Sequence, residues 1–292
     1  MADPRPERTA RTFSRDGEGY SPGIPKGDAV RTRDMRAGFG AFAAWVHNFT
    51  VTVILWVYYI AGFLLFYWPF YLYARFFSPG NELAFQRWNC RLHRSFFALL
   101  RALVPRVTWH VSDEVKALRS SVIVANHLSF LDPILFVSLF EKQKTIVKKD
   151  YFRFPVFGWI LRRSGYIPSL AEGLFSAGMI DQIKAMQDYL AAGGNLFIFP
   201  EGTRSRDGRI GPFDKGAFKI ARLCQASPLR VVVIRNTEKL FPPDRFLFNA
   251  HDETVIYVEL AGSLSPDYGS ESFSLPALMD EARALMERKA GL

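Results

Sequence analysis

SVIVANHLSFLDP, residues 121–133, joins a short apolar run to a polar loop and then to a proline that opens a second apolar run. Short β-branched runs bounded by polar residues read as buried strands, and proline is favoured at the first position of a helix. The stretch therefore predicts strand, loop and helix in succession, the unit from which α/β folds are assembled. Similar runs lie on both sides of it: VTWHV (107–111), TIVKK (145–149), NLFIF (195–199), RVVVI (230–234) and TVIYVEL (254–260). Helices are expected from Pro133, from near Pro155, over 171–192 with Phe175, Met179, Ile183, Met186 and Leu190 on one face, over 215–225, and over 275–289. This alternation predicts an α/β domain over residues 106–292, a mixed sheet flanked by helices.

Ligands in such sheets gather where strands end in loops. Two junctions carry chemistry. In the first, Asp132 before Pro133 has a plain structural reading as an N-cap followed by an N1 proline. His127 leaves the strand beside Asn126 and needs partners for its ring nitrogens. If the loop curls back, the carboxylate five residues on accepts from one imidazole nitrogen and leaves the other as a proton acceptor. Spacing alone leaves the turn and the dyad both open, because such pairs are recognised by geometry.

The second junction is FIFPEGTRSRDGRIGPFDKGAFKIA, residues 197–221. Pro200 stops a strand, Glu201-Gly202-Thr203 makes a tight turn, and Arg204, Arg206, Arg209, Lys215 and Lys219 follow. Cations beside a glycine-bearing turn suit an anion, and the planar guanidinium matches phosphate oxygens two at a time. The alternative is a hairpin tip with Asp207-Gly208 as its turn and the basic residues in water. Arg206, Arg209 and Lys219 fit that alternative, whereas Arg204 at the turn and Lys215 at the head of the next helix are the candidate anion ligands.

Composition sets the surroundings. Cys90 and Cys224 are the only cysteines, which excludes a disulfide framework and points to a reducing compartment; no metal centre is expected. From residue 37 to 74 there is no Asp, Glu, Lys or Arg, and the run VTVILWVYYIAGFLLFYWPFYLY exceeds the about 20 residues that one membrane span requires. Either a single tilted span or a re-entrant hairpin turning at Gly62 and Pro69 accounts for it. The polar residues before the run and the lack of a small-residue cleavage site after it argue against a signal peptide. Basic residues flank the run on both sides, which favours a hairpin returning to the cytosolic face. Next, Phe85, Trp88, Leu92, Phe96, Leu99 and Leu103 recur at helical spacing opposite Arg87, Arg91, Arg94 and Arg101. That pattern predicts an amphipathic helix at the membrane interface. Residues 37–105 are thus expected to be a membrane-anchoring segment, and residues 1–36, mixed in charge and rich in Pro and Gly, a flexible polar tail. The net charge of +9 does not signal nucleic-acid binding, because its basic residues cluster beside the apolar run and no recognition module accompanies them.

Taken together, NHLSFLD, with His127 and Asp132 as HxxxxD, and FPEGTRS followed by PFDKGAF resemble the glycerolipid acyltransferases of the 1-acylglycerol-3-phosphate acyltransferase (PlsC-like) type over residues 107–260. The resemblance implies an enzyme that moves a fatty acyl group from a thioester of coenzyme A or acyl carrier protein to the free hydroxyl of a lysophospholipid, 1-acylglycerol-3-phosphate first, at the cytosolic face of a membrane. It implies His127 as base and Asp132 as its orienting partner, and Glu201, Gly202, Thr203 and Arg204 at the acceptor, with Lys215 added by the reading above. No cofactor beyond the thioester co-substrate is implied. Oxyanion donors are expected among the backbone N–H groups near the start of the helix after Asp132.

Two departures bear on the acceptor. The family arginine between the two motifs has no counterpart, since no Lys or Arg occurs from residue 164 to 183, and Val231 stands where a proline is usual. Another lysolipid acceptor, with a larger headgroup or an amino lipid, therefore stays open. So does a non-catalytic membrane scaffold, although a scaffold has no need of His127, Asp132 and Arg204 together. A metallohydrolase lacks further ligands at readable spacing.

Overall fold

The structure is a computed structural model, and it describes residues 27–78, 80–169, 179–226 and 228–291. The chain forms two compact units, Met1–Ala43 and Ala44–Leu292. Helix α1 (Gly27–Val57) continues into a π-helical segment (Tyr58–Tyr67) and then α2 (Trp68–Phe77). Residues 27–36, expected in the polar tail, are helical; Ala, Arg and Met in DAVRTRDMRA are strong helix formers that extend the apolar helix backwards. The rest of the expected tail lies outside the described residues.

The stretch Gly40–Phe77 is long and apolar enough to cross a membrane. It does not turn at Gly62 or Pro69. Gly62 sits inside the π-helical segment, and Pro69 occupies the first turn of α2. The chain reverses after Phe77, and the Asn81 side chain accepts from the Ala84 amide at 3.2 Å and caps α3 (Glu82–Leu103). A hairpin does form, but between the helix up to Phe77 and α3: Tyr58 Oη donates to Ser95 Oγ at 2.6 Å and Tyr71 Oη to Asn89 Oδ1 at 2.5 Å.

After α3 come β1 (Val107–Val111), α4 (Asp113–Lys116), β2 (Ser121–Ala125), α5 (Leu131–Leu139), β3 (Gln143–Val147), a 3-10 turn (Lys149–Arg153) and α6 (Pro155–Arg163). They are followed by β4 (Ile167–Pro168), α7 (Met179–Ala191), β5 (Asn195–Ile198), α8 (Lys215–Leu223), β6 (Leu229–Arg235), α9 (Thr237–Leu240), β7 (Thr254–Leu264) and α10 (Leu275–Ala290). The front of the helix expected over 171–192, including Phe175, lies outside the described residues. The seven strands form one mixed sheet in the order β1-β7-β6-β2-β5-β3-β4. Strands β6, β2, β5, β3 and β4 run parallel, so they end along one edge; β7 runs antiparallel to β6.

Alternation along the strands divides the core in two. Ile123, Ala125, Phe197, Val232 and Ile234 point to one face, against α3, α5 and the part of α1 bearing Val51 and Leu55. Val122, Val124, Leu196, Ile198, Val231 and Val233 point to the other, against α7, α8 and α10. Both faces are covered, which is why these strands are apolar throughout.

Two expectations change here. Helix α3 is amphipathic as expected, but its apolar stripe is spent on the protein's own domain: Phe85, Leu92, Phe96 and Leu100 are buried, and Arg94 Nε donates to the Ser138 carbonyl of α5 at 2.8 Å. A helix packed on its domain and one lying on lipid share the same periodicity, so sequence spacing does not separate them. Second, residues 44–105 belong to the same compact unit as residues 106–292. The stripe Asn48, Val51, Thr52 and Leu55 makes that join. Val51 and Leu55 are buried, while Asn48 Oδ1 accepts from the Ala250 amide and Thr52 Oγ1 from the Phe248 amide, both at 2.9 Å.

Candidate active site

At the edge where β2 ends, the backbone turns out of the sheet and is locked by its own polar side chains. Asn126, almost fully buried, extends the β2–β6 pairing with its amide: Nδ2 donates to the Ile234 carbonyl at 2.8 Å and Oδ1 accepts from the Ile234 amide at 2.7 Å. His127 follows. Its amide donates to Glu201 Oε1 at 2.8 Å, and its carbonyl accepts from the Ser205 amide at 2.8 Å. The two loops singled out in the sequence are thus stitched together through the backbone of one histidine.

The His127 ring stacks on Phe199, with centroids 4.5 Å apart. Its Nδ1 lies 3.0 Å from Asp132 Oδ2, and the two side chains are 17% and 0% exposed. Asp132 is not an N-cap. Helix α5 starts at Leu131, and the carboxylate folds back over the preceding loop, where Oδ2 also accepts from the amides of Leu128 at 2.6 Å and Ser129 at 2.7 Å. Its second oxygen, Oδ1, accepts from Thr237 Oγ1 at 2.6 Å. A buried carboxylate whose oxygens are all engaged by donors is held in one place, and it fixes the orientation of the imidazole beside it.

The amides that lead up to the expected oxyanion donors are engaged within the loop itself. The amides of Leu128 and Ser129 are taken by Asp132, that of Leu131 donates to Ser129 Oγ, and that of Asp132 to the Ser129 carbonyl. The start of α5 is occupied in holding the aspartate, and these four N–H groups are not free for a substrate.

Glu201 is a clamp between loops. Oε1 takes the His127 amide and Oε2 the Gly211 amide, the latter at 2.8 Å. Burial pushes its carboxyl above the ordinary carboxylate range, against the pull of those two backbone donors. Gly202 has φ of +65°, a left-handed turn that favours glycine. Beyond it, Glu201, Thr203, Arg204, Arg206, Arg209 and Gly211 are among the residues lining an open cleft of about 390 Å³. Two of its lining residues, Glu201 and Ser205, are bonded to the His127 backbone.

Lys215 stands at the head of α8, as the sequence predicts. It is exposed there and does not line the cleft, because the chain 212–214 carries it past the rim, where Asp214 caps the helix. Arg206 and Arg209 are exposed, in keeping with the solvated hairpin tip, and also stand among the residues lining the open cleft. Arg206 is loosely paired with Asp244 at 3.7 Å, and both partners are largely exposed. Spacing did not reveal Thr237, which reaches the aspartate from 105 positions away, nor neighbouring Glu238. Burial raises the Glu238 carboxyl and the Asp132 charge adds to the effect. Among the described residues, no three His, Cys, Asp or Glu side chains gather as metal ligands.

A second feature lies beside the dyad. Trp56, Tyr59, Phe96, Phe130 and Phe248 enclose a space of only about 10 Å³, with Phe130 three positions after His127. Here an aromatic cluster joins the apolar helix to the loop that carries His127 and Asp132.

Known proteins similar to this chain fall in one family. The family model described as acyltransferase matches residues 106–234. The chain is 33% identical over 207 residues to a chloroplastic 1-acyl-sn-glycerol-3-phosphate acyltransferase of Brassica napus, covering 69% of this chain and 57% of the relative. It is 33% identical over 145 residues to one of Arabidopsis thaliana, covering 49% and 40%. The chain therefore spans about half the length of these two curated relatives. Among solved structures, the crystal structure of the 1-acyl-sn-glycerophosphate acyltransferase PlsC from Thermotoga maritima superposes with a TM-score of 0.62 at 20% identity, covering 84% of this chain and 97% of that one.

Proposed function

This chain carries an acyltransferase-family domain over residues 106–234 and is PlsC-like in sequence and fold, and on that premise we propose that it acylates 1-acylglycerol-3-phosphate from a fatty acyl thioester to give phosphatidate. The observation that carries the reading is the His127–Asp132 pair at 3.0 Å, beside an arginine-lined cleft. An alcohol is a poor nucleophile until its proton has somewhere to go. In this reading His127 Nε2 takes the hydroxyl proton as the acceptor oxygen attacks the thioester carbonyl, and Asp132 stabilises the imidazolium. Collapse of the tetrahedral intermediate forms the ester and breaks the C–S bond. The proton returns from the imidazolium to the departing thiolate, leaving free thiol and unchanged enzyme.

Arg204, one residue from the Ser205 amide bonded to His127, is the candidate phosphate ligand, with Arg209 on the same cleft. Glu201 orders the turn, since both of its oxygens already hold backbone donors. The thioester, on coenzyme A or acyl carrier protein, is the only co-substrate this chemistry needs.

The site also belongs at a bilayer. One face of the helix Gly40–Phe77 is docked on the domain through Asn48, Val51, Thr52 and Leu55. The opposite face exposes Phe49, Val57, Ile60, Leu64, Leu65 and Phe66. A helix held along its side by a polar domain is suited to embedding its free face in one leaflet. Buried free thiols at Cys90 and Cys224 support the cytosolic side. The test is an acyl-transfer assay of the purified chain that crosses both thioester carriers with lysophosphatidate, neutral lysolipids and amino lipids. Preference for lysophosphatidate supports the proposal. Preference for a lysolipid with a larger headgroup or an amino lipid replaces its acceptor, and no transfer from either donor overturns it.

A further inference from the structure

Strand β3 ends at Val147 on the same edge of the sheet as β2, which ends beside His127, because both run parallel to β5. The chain that leaves β3 there, VKKDYFRFPVFGW over residues 147–159, is unlike an ordinary surface loop. Tyr151, Phe154 and Phe157 are 47%, 56% and 44% exposed, and Val156 is exposed beside them. The rings are not scattered: Tyr151 lies 6.2 Å from Phe154 and 6.0 Å from Phe157, so the three form one cluster. Around it stand Lys148, Lys149, Arg153 and Arg162, all exposed, against a single acid, Asp150.

The platform under this cluster is rigid. A Cβ at Gly158 would collide with the Phe152 carbonyl, so the 3-10 turn rests directly on the backbone of α6. Arg162 Nη1 donates to that same carbonyl at 2.5 Å. The other side of α6 is committed to the apolar helices, with Trp159 against Trp68 at 5.5 Å and against Phe85 at 5.4 Å. The aromatic cluster therefore sits on a helix bolted to the segment that bears the exposed apolar face of Gly40–Phe77.

We propose that residues 148–157 form a second membrane-contact site, in which Tyr151, Phe154 and Phe157 enter the headgroup region of an anionic bilayer while Lys148, Lys149 and Arg153 bind its phosphates. Aromatic rings ringed by basic side chains are the pattern of interfacial insertion, with apolar burial and headgroup attraction acting together. An acidic carrier protein would use the cations but would have no need of three clustered rings and a valine in water. With two contacts, one at the helix and one at the β3 end, the sheet edge carrying His127 is held towards the lipid. The inference rests on the reading that the acceptor comes from a bilayer, but its test does not depend on turnover.

The full chain is labelled with an environment-sensitive fluorophore at Phe154→Cys, and separately at Glu114→Cys, which is exposed on α4 at the opposite edge of the sheet. Both native cysteines are buried. The labelled proteins are bound to phosphatidylcholine vesicles with and without phosphatidylglycerol, using lipids brominated on the acyl chains as quenchers. The expected result is quenching at position 154, stronger with phosphatidylglycerol, and none at position 114. Equal quenching at the two positions on vesicles that retain the protein overturns the proposal. So does a label at 154 that responds only to acyl carrier protein in the absence of lipid. A second arm uses Phe154→Ser with Phe157→Ser: turnover of vesicle-borne acceptor should fall on the order of tenfold, and turnover in mixed micelles should not change. An equal fall in both settings also counts against it. Quenching at 154 without any acyl transfer would leave this site standing and remove the proposed reaction.

Discussion

Thr237 Oγ1 donates to Asp132 Oδ1 at 2.6 Å, leaving Oδ2 to the His127 imidazole and two loop amides. The aspartate is thereby fixed from both ends by groups that lie far apart in the chain, and Thr237 is fully buried. Its place at the head of α9, immediately after β6, makes it a positioning residue for the dyad.

Thr237→Val keeps the volume and removes the donor. A hydrogen bond to a charged group is worth about 1.5–3 kcal/mol, so turnover should fall roughly tenfold or more with KM unchanged. Thr237→Ser should restore it. Steady-state kinetics on protein whose folded fraction is measured by thermal melting checks this. A loss explained entirely by a smaller folded fraction would leave Thr237 a packing residue.

Glu201→Gln has a different expected signature. Glutamine offers one carbonyl oxygen where the carboxylate offers two acceptors, so either the His127 or the Gly211 amide is orphaned, at a cost of about 1–3 kcal/mol. The pH dependence has a definite sign. Because burial raises the native carboxyl, its contribution to stability is complete below the ordinary value of about 4.3 and is lost as pH rises through the raised native value. Denaturant midpoints followed upward from acid pH should show that decline in the wild type and a flatter profile in the variant.

Much of this was legible in advance, for a physical reason. The strands at 121–125 and 195–198 are buried throughout because both sheet faces are covered, that at 107–111 alternates because one face is open to solvent, and a glycine-bearing turn with arginines beside it has few uses. His127 and Asp132 could be paired because they are five residues apart on one loop. Thr237 could not, because only the sheet order brings the end of β6 beside the end of β2. The stripe on α3 was visible, yet whether it meets lipid or protein depends on α5 lying across it. Asn48 and Thr52 stand as polar positions in an apolar helix because they accept from the amides of Ala250 and Phe248, contacts that no spacing in the helix itself announces.

Arg204→Ala should penalise acceptors according to their charge. Loss of a guanidinium–phosphate contact costs about 1.5–3 kcal/mol, or roughly 10- to 100-fold in kcat/KM for a phosphate-bearing acceptor, and little for a neutral lysolipid. Equal penalties on the two would remove Arg204 from the phosphate. Arg209→Ala on the same cleft should act in the same direction.

Trp56→Ala probes the aromatic cluster between the apolar helix and Phe130. With Trp56, Tyr59, Phe96 and Phe248 in place the enclosed space is about 10 Å³, too small for additional methylenes. Removing the indole should shift preference towards longer acyl donors, read as the ratio of kcat/KM for long and short chains. An unchanged ratio would place the acyl chain elsewhere.

The central claim is that one imidazole, oriented by Asp132, removes the proton from a lipid hydroxyl. Its most direct test is single-turnover transfer from a fatty acyl thioester to lysophosphatidate by His127→Ala, with folding confirmed by its melting curve. A general base contributes about 10²- to 10⁴-fold, so the rate should fall by a factor in or above that range while both substrates still bind. A folded variant that transfers the acyl group within a few-fold of the wild-type rate would contradict the account.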